Sequence, residues 1–554
     1  MAVPAGRRSW MSGGVYDLIV VGGGINGAGI ARDAAQRGMN VALLEKNDFS
    51  SGTTQAPTRL IHGGLRYLEY FEFSLVFESL QEREILLRVA PHLVHPLPFI
   101  IPIYAHHRRG PLLVNLGMLG YDVLSFNKSL PRYRRLSAAQ VRELEPGLDP
   151  DGLRGGVLYY DGQVDWPERL CLANALAAGQ SGAYVRNYSQ VVGFLGNAKS
   201  VEGVRVRETL TGKKYDLRAR LVVNAAGPWA DSVLQLHDTA EPRRVLGTKG
   251  IHVVVPSFRG APRHAIYIEA RSDGRPYFVV PWAGALLIGT TDDPYTGSLD
   301  DVRPTDAEAR YLLAEVNQVF PAANLSTEDV HHTYAGVRAL PVQRGKTTGA
   351  LSRRSFIHDH EKEEGVRGLV SIIGGKLTAY RHLAEEVVDH AQAILRVKGL
   401  KPCRTSQTPL PGGELSDLQA YLSAETSHAS TRFELQPQQI EHLIRLYGTC
   451  YAEVLALVEQ HPELGTRLVK GSPDIAAQAV YAVDHEMAQR LSDFFVRRTG
   501  LVSRDGGSDA AVLAVARIFA EHLQWDVPCI EREIAAWRDE RARLFTLQPD
   551  TVQA

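Results

Sequence analysis

Near its start the chain carries a strand, a glycine turn and a helix that limit what it can become. Tyr16-Asp17-Leu18-Ile19-Val20-Val21 is a mostly apolar run. Gly22, Gly24 and Gly27 follow at G-x-G-x-x-G spacing, with Ile25 and Asn26 inside the turn, and the chain reads as helix to Arg37. The first glycine allows the tight turn, the second lets backbone approach a pyrophosphate, and the third lets helix pack on strand. The helix start then presents unpaired N–H groups and a partial positive charge to phosphates. Gly38 ends the helix, and Asn40 to Leu44 reads as a second strand closing on Glu45. A carboxylate about 20 residues past the glycines suits the hydroxyls of an adenosine ribose. The pattern predicts an α/β, Rossmann-like domain for FAD or NAD, with an unphosphorylated ribose favoured over that of NADP.

With 554 residues the chain exceeds one core, so roughly two to four units are expected. The net charge of −1 offers no field for nucleic acid. Cys171, Cys403, Cys450 and Cys529 are scattered without C-x-x-C spacing, which predicts no zinc or other metal site, no disulfide framework and a reducing compartment. Residues 1–15 form an extension without an apolar run, and no stretch reaches about 18 uninterrupted apolar residues, so neither a signal peptide nor a membrane span is expected.

Small hydroxyl residues, Ser50-Ser51-Gly52-Thr53-Thr54, follow Glu45 and suit phosphate or ribose oxygens, or a helix cap. Leu60-Ile61-His62-Gly63-Gly64-Leu65-Arg66-Tyr67 sets two glycines beside His, Arg and Tyr, which reads as backbone making room for a ligand. Phe73 to Val89 has helical periodicity. Pro111 to Leu124 is apolar with Arg108 and Arg109 before it. It suits either a segment lying in a membrane interface or a buried core helix. Leu221 to Trp229 is a strand that empties into Asn224-Ala225-Ala226-Gly227, which brings small residues near a cofactor. His264 to Asp292 alternates apolar and polar residues and predicts antiparallel strands wet on one face. Leu369 to Ile373 leads through Gly374-Gly375-Lys376-Leu377-Thr378 into a helix, a second helix start able to face an anion. Past Pro411-Gly412-Gly413 the periodicity is helical: Leu415 to Ala424, Gln438 to Tyr447, Tyr451 to Glu459, Ile475 to Phe495, Asp509 to Gln524 and Ile530 to Leu544.

Together V-G-G-G-I-N-G-A-G-I, L-I-H-G-G-L-R-Y-L-E, N-A-A-G-P-W, I-G-T-T-D, Y-A-G-V-R-A-L, I-I-G-G-K-L-T-A-Y-R, L-P-G-G and Val483-Asp484-His485-Glu486 resemble the aerobic, quinone-linked FAD-dependent glycerol-3-phosphate dehydrogenases. The resemblance implies a fold like that of D-amino-acid oxidases: a Rossmann-like FAD-binding domain, a substrate cap with an antiparallel sheet, and an all-α C-terminal domain. It implies FAD parts at about 16–90, 155–255 and 335–400, cap parts at about 91–154 and 256–334, and helices at about 405–545. It also implies a homodimer attached peripherally to the cytoplasmic face of the cell membrane, electron delivery to ubiquinone or another membrane quinone, and a place in glycerol metabolism and the respiratory chain. Carried over residue by residue, Arg66 and Tyr67 match a substrate-contacting pair, Arg338 the arginine beside the reacting C2 hydroxyl, and Arg353 and Lys376 basic residues on the substrate phosphate. Gly22, Gly24, Ile25, Asn26, Gly27, Glu45, Thr53, Thr54, His62, Gly63, Gly64, Ala226, Gly227, Gly375, Lys376, Leu377 and Thr378 are the expected FAD contacts. Gln55 and Pro57 stand where relatives carry serine, and Arg59 where they carry lysine.

Oxidising a secondary alcohol needs a hydride acceptor, a base for the hydroxyl proton and cations that fix the phosphate. His62 is the expected base, since its ordinary pKa of about 6.5 suits the task. Arg338 is expected to stabilise developing alkoxide charge. The rival readings are a glycerol-3-phosphate oxidase using oxygen, an amino-acid oxidase of the same fold, and a non-catalytic flavin-binding scaffold.

Overall fold

The computed structural model describes residues 14–237, 243–342, 355–505 and 507–550, with the backbone but not the side chain described for Arg66, Glu69, Tyr70, Arg504, Asp505 and Phe545. Residues 1–13 and Ser352-Arg353-Arg354 lie outside it, so the N-terminal extension and the expected phosphate contact at Arg353 have no structural account.

Two sheets carry the N-terminal two thirds. The first has eight strands. Tyr16–Val21 lies at its centre, parallel to Val41–Leu44 on one side and to Lys214–Asn224 on the other, with Val21 beside both Leu44 and Asn224. Leu369–Ile373 continues the parallel order past Lys214–Asn224, and Phe356–Asp359 closes that edge antiparallel. The strands at the centre are buried on both faces, as parallel sheets require. Helices Ile25–Arg37, Pro167–Gln180 and Tyr380–Leu395 pack one face through Ala28, Ala31, Leu170, Ala177, Leu383 and Val387. On the other face Val191, Val204 and Val206 of a three-stranded antiparallel layer meet Ile19, Ala42 and Val222.

The second sheet has ten strands and includes Val94–Tyr104, Leu153–Val164, Val245–Pro256 and His332–Pro341. Leu153–Val164 and Val245–Pro256 belong to it, although the expected boundaries near 155 and 255 set most of each with the first sheet. After Leu153–Val164 and again after His332–Pro341 the chain returns to the first sheet. The expectation of a sheet wet on one face does not hold. Leu312, Val316 and Val319 of the helix Asp306–Val319 cover one face over Ile251, Val253 and Ile266. On the other face Val76, Leu80, Met118 and Tyr121 lie over Val254, Leu287 and Val280. The polar residues that suggested a wet face are a minority that sit at strand ends.

The C-terminal part is helical. Pro437–Tyr447, Tyr451–Gln460, Asp509–Leu523 and Val527–Phe545 match the periodic segments within a turn at each end, whereas Leu418–Phe433 runs nine residues past the expected end at Ala424. The expected single helix from Ile475 to Phe495 is broken instead. Ala477–Asp484 stops, Met487 takes φ 57°, and a wide-turn helix resumes at Asp493–Arg498. The cause is electrostatic. Asp493 accepts from Gln489 N–H at 2.8 Å and Arg490 N–H at 3.0 Å and so ties down the turn that precedes the second piece. That turns Arg497 and Arg498 onto the buried Asp48 of the first domain, each at 2.7 Å.

Candidate active site

The two sheets meet along a cleft of about 570 Å³. Its floor is the glycine turn between Tyr16–Val21 and Ile25–Arg37. Gly22 takes φ 109°, and a Cβ there would stand 2.7 Å from Ala225 O. A Cβ on Gly27 would stand 1.9 Å from Gly22 O, so this glycine serves helix–strand contact and does not line the cleft. The helix start carries no side-chain cap from Gly24, which leaves it open to an anion. Ile25 N–H donates to Thr54 Oγ1 at 3.1 Å, and the Thr53 hydroxyl donates to Val337 O at 2.7 Å. Glu45 lines the cleft, and its carboxylate accepts Gly23 N–H at 2.6 Å and Asn47 N–H at 2.9 Å.

The second glycine turn faces the first. Asn26 Nδ2 donates to Gly374 O at 3.3 Å, and a Cβ on Gly375 would strike that amide nitrogen at 2.8 Å. Asn26 Oδ1 is buried and has no protein partner among the described residues. A buried, unanswered acceptor at a helix start, glycines that admit no side chain, and a cleft of this size fit a bound dinucleotide.

At the far end the cleft becomes cationic. Lys376 Nζ donates to His62 O at 2.5 Å and lies 5.2 Å from the Tyr67 ring centroid. Burial pulls the Lys376 ammonium down to about 7. His62 lines the cleft, its ring edge-on to Phe278. Burial, then the charges of Lys376 and Arg83, hold its imidazole well below the usual value, so it is neutral at physiological pH. Arg338 is carried by the strand His332–Pro341 and held by the I-G-T-T-D turn: its guanidinium donates to Thr290 Oγ1 at 3.0 Å, Asp292 Oδ1 at 3.1 Å and Thr291 O at 3.3 Å. Gly250 makes this possible, because a Cβ there would stand 2.5 Å from Arg338 Nη2.

Of the expected residues, Gly22, Gly24, Ile25, Asn26, Glu45, Thr53, Thr54, His62, Tyr67, Ala226, Gly227, Arg338, Gly375, Lys376, Leu377 and Thr378 share this one cleft. Gly27, Gly63 and Gly64 do not line it. Gly63 instead donates its N–H to Tyr121 OH at 2.8 Å, which donates to Asp161 Oδ2 at 2.7 Å, and Arg83 binds the other oxygen at 2.6 Å. This buried chain fixes the turn beneath His62. Sequence reading missed it, since Tyr121 and Asp161 look like ordinary strand and helix residues. It also missed Thr58, which lines the cleft and pairs with His252 Nε2 at 2.9 Å. Pro57 lines the cleft too, its carbonyl accepting from Tyr334 OH at 2.9 Å, whereas Gln55 turns back to Ser51 O.

Known proteins share this sequence and fold over most of the chain. The family model described as FAD dependent oxidoreductase matches residues 17–381, and that described as C-terminal domain of alpha-glycerophosphate oxidase matches residues 403–528. A glycerol-3-phosphate dehydrogenase of Synechocystis sp. is 46% identical over 537 residues, 95% of this chain and 96% of the other. The aerobic glycerol-3-phosphate dehydrogenase of Bacillus subtilis is 35% identical over 92% of each chain. The crystal structure of a glycerol-3-phosphate dehydrogenase from Bacillus halodurans complexed with FAD superposes with a TM-score of 0.80, at 30% identity and 98% coverage of both chains.

Proposed function

The chain belongs to the FAD-dependent glycerol-3-phosphate dehydrogenases, an enzyme family that oxidises glycerol 3-phosphate with FAD, and on that premise we propose a finer reading. The product is dihydroxyacetone phosphate, the hydrogen at C2 leaves as hydride, and the electrons pass to a membrane quinone.

Gly22, Gly24, Asn26 and Glu45 would hold the adenosine diphosphate part of FAD, and Gly375, Leu377 and Thr378 its ring end. When bound, FAD supplies the hydride acceptor. Lys376 supplies a cation for the substrate phosphate, joined by Arg66, Tyr67 and Arg353 on the family pattern. Neutral His62 has a lone pair free to take the C2 hydroxyl proton. Arg338 stays charged and steadies the oxygen as that proton leaves. Asp292 on its far side limits its reach and fixes its plane. The observation that carries the reading is the shared cleft: a neutral imidazole, Lys376 and Arg338 line the same cavity as the two glycine turns.

The quinone reading is supported by the helix Pro111–Leu124. Leu112 is 85%, Leu113 57% and Leu116 64% exposed, and only Met118 and Tyr121 of this helix are buried. The core-helix alternative therefore falls. Phe71 and Phe77 add exposed rings on neighbouring segments. Arg108 and Arg109 do not flank the face as free cations: Arg109 pairs with Glu269, and Arg108 leans on Asp273 O. Exposed Arg132, Arg134 and Arg135 stand past the other end instead. An apolar face with cations at its edge suits an anionic bilayer surface, the place where a quinone is met. No helix among the described residues is long and apolar enough to cross a membrane.

Anaerobic mixing with glycerol 3-phosphate tests the core of this reading. The flavin absorbance should bleach within the turnover time, and a quinone analogue should restore it faster than oxygen. A flavin that stays yellow removes the substrate, and rapid hydrogen peroxide release removes the quinone.

A further inference from the structure

One cluster of metal-ligating side chains lies apart from the cleft lining. His358 lies in the strand Phe356–Asp359, His360 opens the short helix His360–Glu364, and Glu364 closes it. One donor atom from each lies within 4.8 Å of the others. His358 Nε2 is 2.9 Å from Glu364 Oε1, and His360 Nδ1 is 3.0 Å from Glu364 Oε2. On its other side His360 Nε2 meets Ser371 Oγ of the neighbouring strand at 2.8 Å. His360 is buried, whereas the side chains of His358 and Glu364 keep 22% and 23% exposure, so the cluster opens to solvent on one side.

We propose that His358, His360 and Glu364 form a site for one divalent transition-metal ion of the zinc class, with water in the remaining positions. A tetrahedral zinc with bonds of about 2.0–2.1 Å sets its donor atoms about 3.3 Å apart. Each imidazole stands close to that spacing from one carboxylate oxygen, His358 from Oε1 and His360 from Oε2, and one donor from each of the three residues lies within 4.8 Å of the others, so side-chain rotations bring them onto one ion. Imidazole and carboxylate together suit zinc, and two imidazoles disfavour magnesium or calcium. On binding, each imidazole turns a lone pair inward and keeps its N–H on the outer nitrogen. For His360 that N–H points to Ser371 Oγ, the outer partner that commonly fixes a metal-bound histidine. Arg244 pairs with Glu364 and so competes with the ion for the carboxylate. The expectation of no metal followed from cysteine spacing; this set contains no cysteine and becomes a site only through the turn.

The test uses the full-length FAD-loaded protein, stripped with a chelator, freed of it and titrated calorimetrically with zinc. One ion per chain is expected here, lost in both His358→Gln and Glu364→Gln. Ser371→Ala should weaken it by roughly ten- to a hundredfold. Arg244→Gln should tighten it by freeing the carboxylate. His358→Gln changes a partly exposed side chain, so it decides the matter if Glu364→Gln does not fold. Absence of binding, or binding unchanged in His358→Gln and Glu364→Gln, overturns the proposal and sends any bound zinc to other histidines such as the adjacent pair His106 and His107.

Discussion

At the scale of single residues the cleft turns on Lys376. A lysine in open water titrates near 10.4, but burial brings this one to about 7. Its charge is present below that value and lost above it. The free enzyme should therefore bind the phosphate dianion best on the acid side, and kcat/KM should fall as pH rises through about 7. Arginine at this position stays charged, so Lys376→Arg should carry that limb to higher pH. An unmoved limb would assign it to another group. Lys376→Ala should raise KM for glycerol 3-phosphate at least tenfold (about 1.4 kcal/mol or more, as for a lost charged hydrogen bond) while changing KM for glycerol little. Equal effects on both substrates would remove its phosphate role.

At the scale of elements, the helix Pro111–Leu124 breaks the rule that apolar residues go inside. Its buried side, Met118 and Tyr121, docks on the second sheet, and Leu112, Leu113, Leu116 and Leu119 stay outside. Large contiguous apolar surfaces on soluble domains mark interaction sites. Replacing Leu112, Leu113 and Leu116 together by aspartate should release the protein from anionic vesicles in a flotation assay, with its melting temperature unchanged because these side chains are already exposed. Retention on vesicles would place the contact elsewhere. Sequence alone left this segment open between surface and core, since the same apolar periodicity serves both. The neighbours that decide it, Leu80 and Tyr159, come from distant parts of the chain. The broken helix at Met487 shows the same limit. Its periodicity runs on unbroken, but Asp48, more than 400 residues earlier by sequence number, draws Arg497 and Arg498 to itself and sets the break.

At the scale of the whole molecule, that same Asp48 joins the helical part to the dinucleotide domain. Both of its oxygens are engaged by buried guanidiniums, and Asn187 Nδ2 adds a bond at 3.0 Å. Around it Arg169 pairs with Glu486, and Tyr188 OH donates to Asp493 Oδ1 at 2.6 Å. Burial pushes the Asp48 carboxyl up, but Arg498 and Arg497 outweigh it and hold it at about 2. Its contribution is thus full above the ordinary carboxylate range and lost as pH falls from about 4 toward 2. Asp48→Asn leaves two buried arginines undercompensated and should cost about 3–5 kcal/mol, read as a lower urea midpoint at pH 7. The deficit should shrink at pH 3, and a midpoint equal to wild type at pH 7 would make the joint incidental.

Local chemistry carried much of this protein. The turn at Gly22, Gly24 and Gly27, the acid at Glu45, the second glycine turn at Gly374 and Gly375, and most helix ends follow from backbone freedom and periodicity, which neighbours in sequence determine. The motifs also named the family. Tertiary structure alone decided what depends on partners far apart in the chain: the I-G-T-T-D turn clasping Arg338, the Tyr121–Asp161–Arg83 chain beneath Gly63, the second sheet buried on both faces, and His358, His360 and Glu364 drawn around one point. Hydrogen bonds and ion pairs act over about 3 Å, so they form only once folding has brought such residues together, and no spacing along the chain encodes that distance.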